Sequence, residues 1–190
     1  MPRLAIRTVA LYLLALVLTA CAGAPTTSTA ARTPRLDVPY VPTDQHLVDE
    51  MLSMASVGRD DVLYDLGSGD GRIVITAARR FGTRGVGYDL DPARVREARD
   101  NAQRAGVAHL VRFEQQDIFA AKFDDATVVT MYLLPAVNLR LRPRLLAELR
   151  PGTRIVSHNY DLGDWPPLRR KEMEIAGIPH HLFLWVVPAR

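Results

Sequence analysis

Three aspartates stand where a binding site for a small polar molecule would put them. Asp65, Asp89 and Asp117 lie at or just past the ends of three apolar runs, DVLYDL, RGVGYDL and HLVRFEQQ. After the first of them the chain reads Gly67-Ser68-Gly69-Asp70-Gly71. Glycine supplies positive φ and carries no Cβ, so such a turn lets a ligand approach the backbone. Carboxylates beside it accept hydrogen bonds from the hydroxyls and amines of that ligand. Each aspartate also has a purely structural use: Asp65 as a turn cap, Asp89 as a solvated strand end, Asp117 in an Asx turn.

A second set of reactive side chains follows. Tyr132 lies near the end of the apolar run TVVTMYLL, and His158, Asp161 and Trp165 share the stretch SHNYDLGDW. An aromatic face can hold an alkylammonium ion, and a histidine or carboxylate can steer an amine or accept its proton through water. Tyr132, Asp161 and His158 are therefore the candidate catalytic residues, with Trp165 a candidate substrate contact. As structural residues, Tyr132 would belong to the core, His158 to the interior, and Asp161 and Trp165 to an ordered loop. His180 and His181 are adjacent on an expected strand, so their side chains point to opposite faces; they read as structural. No metal site is expected, and the single cysteine, Cys21, excludes an intrachain disulfide and a cysteine-built zinc site.

The elements that must position these residues alternate. Thr43 is expected to cap a helix with apolar positions Leu47, Met51, Leu52 and Met54 at helical spacing. DVLYDL then reads as a buried strand, GRIVITAARRF as a helix and RGVGYDL as a second strand. PARVREARDNAQRAG, with proline in its first turn and glycine at its end, reads as a helix. HLVRFEQQ and TVVTMYLL are strands three and four, AVNLRLRPRLLAEL is a helix with a kink or break expected at Pro143, and TRIVSHNY is strand five. KEMEIAG and HHLFLWVVP look like a closing antiparallel pair. Alternation of this kind predicts an α/β fold with parallel strands and helices on both faces, whose ligands sit beyond the carboxyl ends of the strands.

The glycine turn departs from the dinucleotide fingerprint G-x-G-x-x-G, because the third glycine comes one residue early and Arg72 holds its place. D-x-G-x-G-x-G after a first strand instead resembles motif I of class I S-adenosylmethionine-dependent methyltransferases. The resemblance implies cofactor contacts from Asp65, Gly67, Ser68, Gly69 and Gly71. It also implies that Asp89 accepts the ribose hydroxyls, that Asp117 accepts from the adenine amino group, and that Leu90 and Ile118 flank the adenine ring. PYVPT (39–43), GYDLDP (87–92), TMYLLPAVNLRLRPRL (130–145) and SHNYDLGDW (157–165) narrow the likeness further. Together they resemble a bacterial branch of the seven-β-strand family that includes the mitochondrial lysine methyltransferases of ATP synthase subunit c and the adenine nucleotide translocase.

That resemblance implies a Rossmann-like, doubly wound seven-stranded sheet, mostly parallel with an antiparallel last strand, over residues 40–190. It also implies S-adenosylmethionine as methyl donor and a protein lysine as acceptor. Tyr40 and Thr43 would reach toward the methionine end of the cofactor. Many amino-group methyltransferases of bases or glutamine carry an asparagine-proline motif, and here Tyr132-Leu133-Leu134-Pro135 stands in its place. The alternatives are methylation of a small molecule, lipid or nucleic acid, and a lipoprotein that binds the cofactor without catalysis.

The first 20 residues do not read as part of that domain, the alternatives to a signal being a short uncleaved membrane anchor or a buried helix. Arg3 and Arg7 precede VALYLLALVL and then LTAC, the order of a secretory signal. LTAC resembles a lipobox, which implies lipidation at Cys21. Residues 22–39 are small, polar and proline-bearing, a tether of roughly 20–25 Å if flexible. The chain carries a formal +3, and beyond residue 20 its 22 basic groups face 21 acidic ones, which argues against a dedicated nucleic-acid binder. The expectation is a monomer associated with a membrane and acting on a protein there. Its side is open: the arginines would send the domain outward, whereas the cofactor is cytosolic.

Overall fold

The computed structural model describes residues 40–189. The expected signal segment, Cys21 and the tether lie outside the described residues. The strands are β1 (Val62–Leu66), β2 (Arg84–Asp89), β3 (Val111–Gln115), β4 (Val128–Met131), β5 (Arg154–His158), β6 (Arg169–Ile175) and β7 (Ile178–Val186). They form one sheet in the order β3-β2-β1-β4-β5-β7-β6. β1 to β5 pair in parallel, and β7 runs antiparallel to both β5 and β6. The expected Rossmann-like sheet is therefore present, and the strand order reverses direction between β1 and β4, where such folds bind ligands.

Side-chain alternation along the strands feeds two cores. Leu63, Val128 and Val156 face one of them, together with α1 (Gln45–Met54), α2 (Arg72–Phe81) and α3 (Pro92–Arg104). Tyr64, Val129, Met131, Ile155 and the fully buried Trp185 face the other, together with α4 (Pro135–Glu148) and the segment carrying Phe123.

The helix ends show how the sequence sets the turns. Gly71, left-handed at φ +81°, starts α2, and left-handed Gly82 ends it with its N–H on the Ala78 carbonyl. Asp91 caps α3 by accepting from the Ala93 N–H, with Pro92 in the first turn.

Two local expectations change. The cap of α1 is Asp44, whose carboxylate accepts from the His46 N–H; Thr43 is buried instead and its hydroxyl meets His158. α4 runs unbroken through Pro143. The ring lies on the exposed side of the helix, while Val137, Asn138, Leu141 and Leu145 form its buried face. The hydrogen bond that proline cannot donate is thus lost on the wet face, where water can satisfy the freed carbonyl.

Leu63 is fully buried on β1, the strand from which the glycine turn departs. Leu63→Ala should cost about 2–5 kcal/mol. Urea titration should show a lower midpoint with an unchanged slope, and a midpoint equal to wild type would mean this core relaxes around the cavity.

Candidate active site

A cleft opens at the carboxyl ends of β1, β2 and β4. Its floor is the glycine turn. The N–H groups of Gly67 and Ser68 both donate to the Tyr88 carbonyl at 2.9 Å, fixing the turn to the end of β2. The Asp89 carboxylate then joins two turns: Oδ2 accepts from the Gly69 N–H at 2.8 Å and Oδ1 from the Asp91 N–H at 2.9 Å. Each carboxylate oxygen retains a lone pair for a ligand hydroxyl.

Over this floor lies a strap, residues 40–43. A Cβ at Gly69 would sit 2.4 Å from Cε2 of Tyr40, so the ring rests on bare backbone that only glycine offers. The Arg94 guanidinium lies 4.8 Å from the centre of the same ring. Arg72 donates from Nη1 to the Thr43 carbonyl at 2.8 Å while pairing with Asp70. Burial opposes ionisation of Asp70, but the Arg72 guanidinium prevails and holds its carboxyl below the usual range.

The third expected aspartate, Asp117, lines the cleft beside Ile118, with Leu90 also on the wall. Its Oδ1 accepts from the Phe119 N–H at 2.9 Å, so the Asx turn and the wall position coexist. Asp65 is 2% exposed and is paired across the sheet with Thr130, whose hydroxyl donates to its Oδ1 at 2.8 Å. Burial pushes its carboxyl up to about 7, and Asp89 and Asp70 push in the same direction against the Thr130 hydrogen bond.

Tyr132 stands just past β4 on the cleft wall. Its ring centre is 3.9 Å from that of His158 and 6.4 Å from that of Tyr160. Asn159 donates from Nδ2 to the Tyr132 hydroxyl at 3.4 Å, and its Oδ1 accepts from the His181 N–H at 3.0 Å. That grip requires left-handed backbone, φ +63°, at Asn159, a conformation asparagine tolerates better than most residues.

Most of the expected cofactor and strap residues come together here: Asp65, Gly67, Ser68, Gly69, Asp89, Leu90, Asp117, Ile118, Tyr40, Thr43 and Tyr132 all line the cleft. Gly71 sits one step behind as the start of α2. Three residues are placed elsewhere. His158, 1% exposed, lies behind Tyr132 and Thr43. Exposed Asp161 accepts from the Gly163 N–H within its own turn. Trp165 packs on Trp185, 6.1 Å between ring centres, and its carbonyl accepts from the Trp185 indole. Asp161 and Trp165 therefore serve the loop after β5, with no side-chain place on the cleft wall. Sequence reasoning missed Arg72 as a strap anchor and Asn159 as the support of Tyr132, because both act on partners distant in the chain. Arg72 was visible only as the residue displacing a glycine.

The residues fit a cationic nucleoside cofactor. Ser68 Oγ is buried without a hydrogen-bond partner, the glycine turn admits close approach, and five carboxylates on the cleft wall face two arginines. The ANTKMT methyltransferase domain, as a family, matches residues 65–169. The chain belongs to that family. It is 43% identical over 151 residues to a protein-lysine N-methyltransferase of Saccharolobus islandicus, a match covering 79% of this chain and 94% of that protein. It is 41% identical to the adenine nucleotide translocase lysine N-methyltransferase of Mus musculus, covering 70% of this chain and 58% of the mouse protein. A crystal structure described as an RNA methyltransferase from Salinibacter ruber, in complex with S-adenosyl-L-homocysteine, is 53% identical with a TM-score of 0.74, covering 79% of this chain and 95% of that one. This family member is thus an S-adenosylmethionine-dependent methyltransferase, and Asp89, Asp117 and the glycine turn line its cleft.

Asp65 gives the family member a pH signature. Its folded pKa of about 7 stands above the unfolded value near 4. Between those values the folded chain keeps a proton that the unfolded chain has lost, so stability contributed by Asp65 falls as pH rises from about 4 to 7. In cofactor-free protein, Asp65→Asn should flatten that part of the stability profile measured by urea titration, and an unchanged slope would show that Asp65 is ionised throughout.

Proposed function

We propose that this chain is a protein-lysine N-methyltransferase. The observation that carries the reading is the 43% identity to the Saccharolobus islandicus protein-lysine enzyme across 94% of its length. The wall after β4 agrees, since Tyr132-Leu133-Leu134-Pro135 offers an aromatic ring and buried Leu133 rather than a hydrogen-bonding amide.

When bound, S-adenosylmethionine supplies a methyl group on a sulfonium. The chain's own residues align and desolvate. In-line transfer depends chiefly on holding the reacting atoms in register, which the Asp89-fixed floor and the Tyr40 strap do from two sides. A lysine amine with pKa near 10.4 is neutral only about once in a few thousand molecules at pH 7. Burial of the amine against Tyr132 and Leu133 favours the neutral form, and Thr43 offers a hydroxyl to its proton.

A second reading is favoured by the Salinibacter ruber structure, described as an RNA methyltransferase at 53% identity. The near balance of 22 basic and 21 acidic groups beyond residue 20 opposes it, because RNA binding rests largely on phosphate neutralisation. Labelled methyl transfer from S-adenosylmethionine to membrane and soluble extracts, with Asp89→Ala beside wild type, separates the two. Asp89-dependent label recovered as methyl-lysine is the expected result, and label confined to RNA, lipid or small molecules would overturn the lysine reading.

We also propose that a lipid on Cys21 tethers the enzyme to a membrane and that its protein acceptor lies there. The basic, apolar and LTAC segments at the start of the chain support this reading. Wild type expressed in a bacterium should incorporate labelled fatty acid and sediment with membranes, whereas Cys21→Ala should do neither. Equal sedimentation without label would replace the lipid by an uncleaved anchor, and protease access in spheroplasts reports the side.

A further inference from the structure

Behind the cleft wall a line of polar side chains leads to the surface. Thr43, 5% exposed and on the cleft wall, has its Oγ1 3.3 Å from Nδ1 of His158. Nε2 of His158 is 2.9 Å from Nδ1 of His180. His180 is partly exposed on β7, opposite Met173 of β6. Both ring nitrogens of a fully buried histidine are therefore committed, one toward the cleft and one toward solvent.

A hydroxyl and a neutral imidazole each carry one donor and one acceptor, so this chain can run in either direction. With Thr43 donating to Nδ1, His158 holds its proton on Nε2 and donates to His180. With His180 donating, the sense reverses and the Thr43 hydrogen points back to the cleft.

We propose that Thr43, His158 and His180 form the exit route for the proton that the acceptor amine must lose before methylation. This rests on the lysine reading above. The amine N–H bond breaks as an O–H bond forms on Thr43, and the original Thr43 proton moves to Nδ1 of His158. The Nε2 proton of His158 moves to Nδ1 of His180, and His180 releases its own Nε2 proton to water. Both rings then carry Nδ1–H, and once the product has left, the line resets in reverse. His180 takes a proton from water on Nε2 and passes its Nδ1 proton to Nε2 of His158, whose Nδ1 proton returns to Thr43 as Thr43 releases its own to water in the open cleft.

The surroundings suit conduction rather than storage. Burial, reinforced by His180, pushes the His158 pKa down to about 4, so the ring stays neutral at working pH. It is faced by the Tyr132 ring from the end of β4 and by His180 from β7. Asp44, at the start of α1, is the carboxylate electrostatically coupled to His180, and it also binds His46. His181, next along β7, turns instead to Arg170 and Glu172 of β6.

The test uses the full chain as wild type, His180→Ala, which removes a partly exposed side chain, and His158→Gln. Histidine-labelled ¹⁵N NMR should show coupling between Nε2 of His158 and Nδ1 of His180, and its absence would overturn the route whatever the acceptor. Labelled methyl transfer to membrane extract should fall about 100-fold at pH 7 in His180→Ala. Added imidazole should restore it, and the deficit should shrink to about threefold near pH 10, where about a quarter of lysine is neutral in bulk instead of one molecule in a few thousand. Cofactor affinity should match wild type. A deficit that ignores pH and imidazole, or that follows weakened cofactor binding, would mean these histidines only support the fold. Label found only in RNA or lipid would overturn the lysine reading and with it the acceptor amine as the source of the proton, while the NMR coupling reports separately on the hydrogen-bonded line itself.

Discussion

The Asp89 carboxylate is the fixed point of this structure. It sits at the last residue of β2 and reaches back to the Gly69 N–H and forward to the Asp91 N–H. The first bond closes the glycine turn against the neighbouring strand. The second sets the residue that caps α3. Hydrogen bonds to a charged group are stronger than neutral ones, and here one charge orients two consecutive β-to-α connections. Because Gly69 is held there, Tyr40 can lie on it, and the cleft acquires a roof as well as a floor. Hydrogen bonding within the protein leaves lone pairs on the same carboxylate, so the group that sets the two turns also lines the cleft.

Two buried titratable residues flank the cleft and pull in opposite directions. Asp65 keeps a proton to about pH 7 because its charge would be buried among other carboxylates. His158 refuses one until about pH 4 because its charge would be buried beside another histidine. Between about pH 5 and 6 both sites are thereby largely neutral in the absence of ligand, and the net charge of the cleft is left to Asp70, Asp89, Asp91, Asp117, Arg72 and Arg94. An acidic surplus suits a sulfonium donor better than an anionic one.

The sheet order and the cofactor floor were legible because they follow from periodicity and from one glycine turn bounded by strands. Asp65, Asp89 and Asp117 each end a hydrophobic run, and strand ends meet at one edge of a parallel sheet. What lay across the chain was harder to read. Asp161 and Trp165 are close to His158 in sequence, but the turn after Asn159 carries them to Gly163 and Trp185. His180 and His181 read as structural because strand neighbours point to opposite faces, and the contact of His180 with His158 becomes visible only once β5 and β7 are paired. Thr43 gave way to Asp44 as the helix cap because a buried hydroxyl had a ring nitrogen to meet. Pro143 was tolerated because its missing donor falls on the wet side of α4.

The strap over the cleft is fastened in a way that separates what can vary from what cannot. Arg72 grips the main-chain carbonyl of residue 43, a group every amino acid possesses. Between that grip and Tyr40 stand Val41, 54% exposed, and Pro42, whose side chains take no part in the fastening. They form the outer rim of the cleft above the glycine floor. Exchanging either side chain would reshape the rim of the cleft while the Arg72 grip on the main chain and the seat of Tyr40 on Gly69 stay in place.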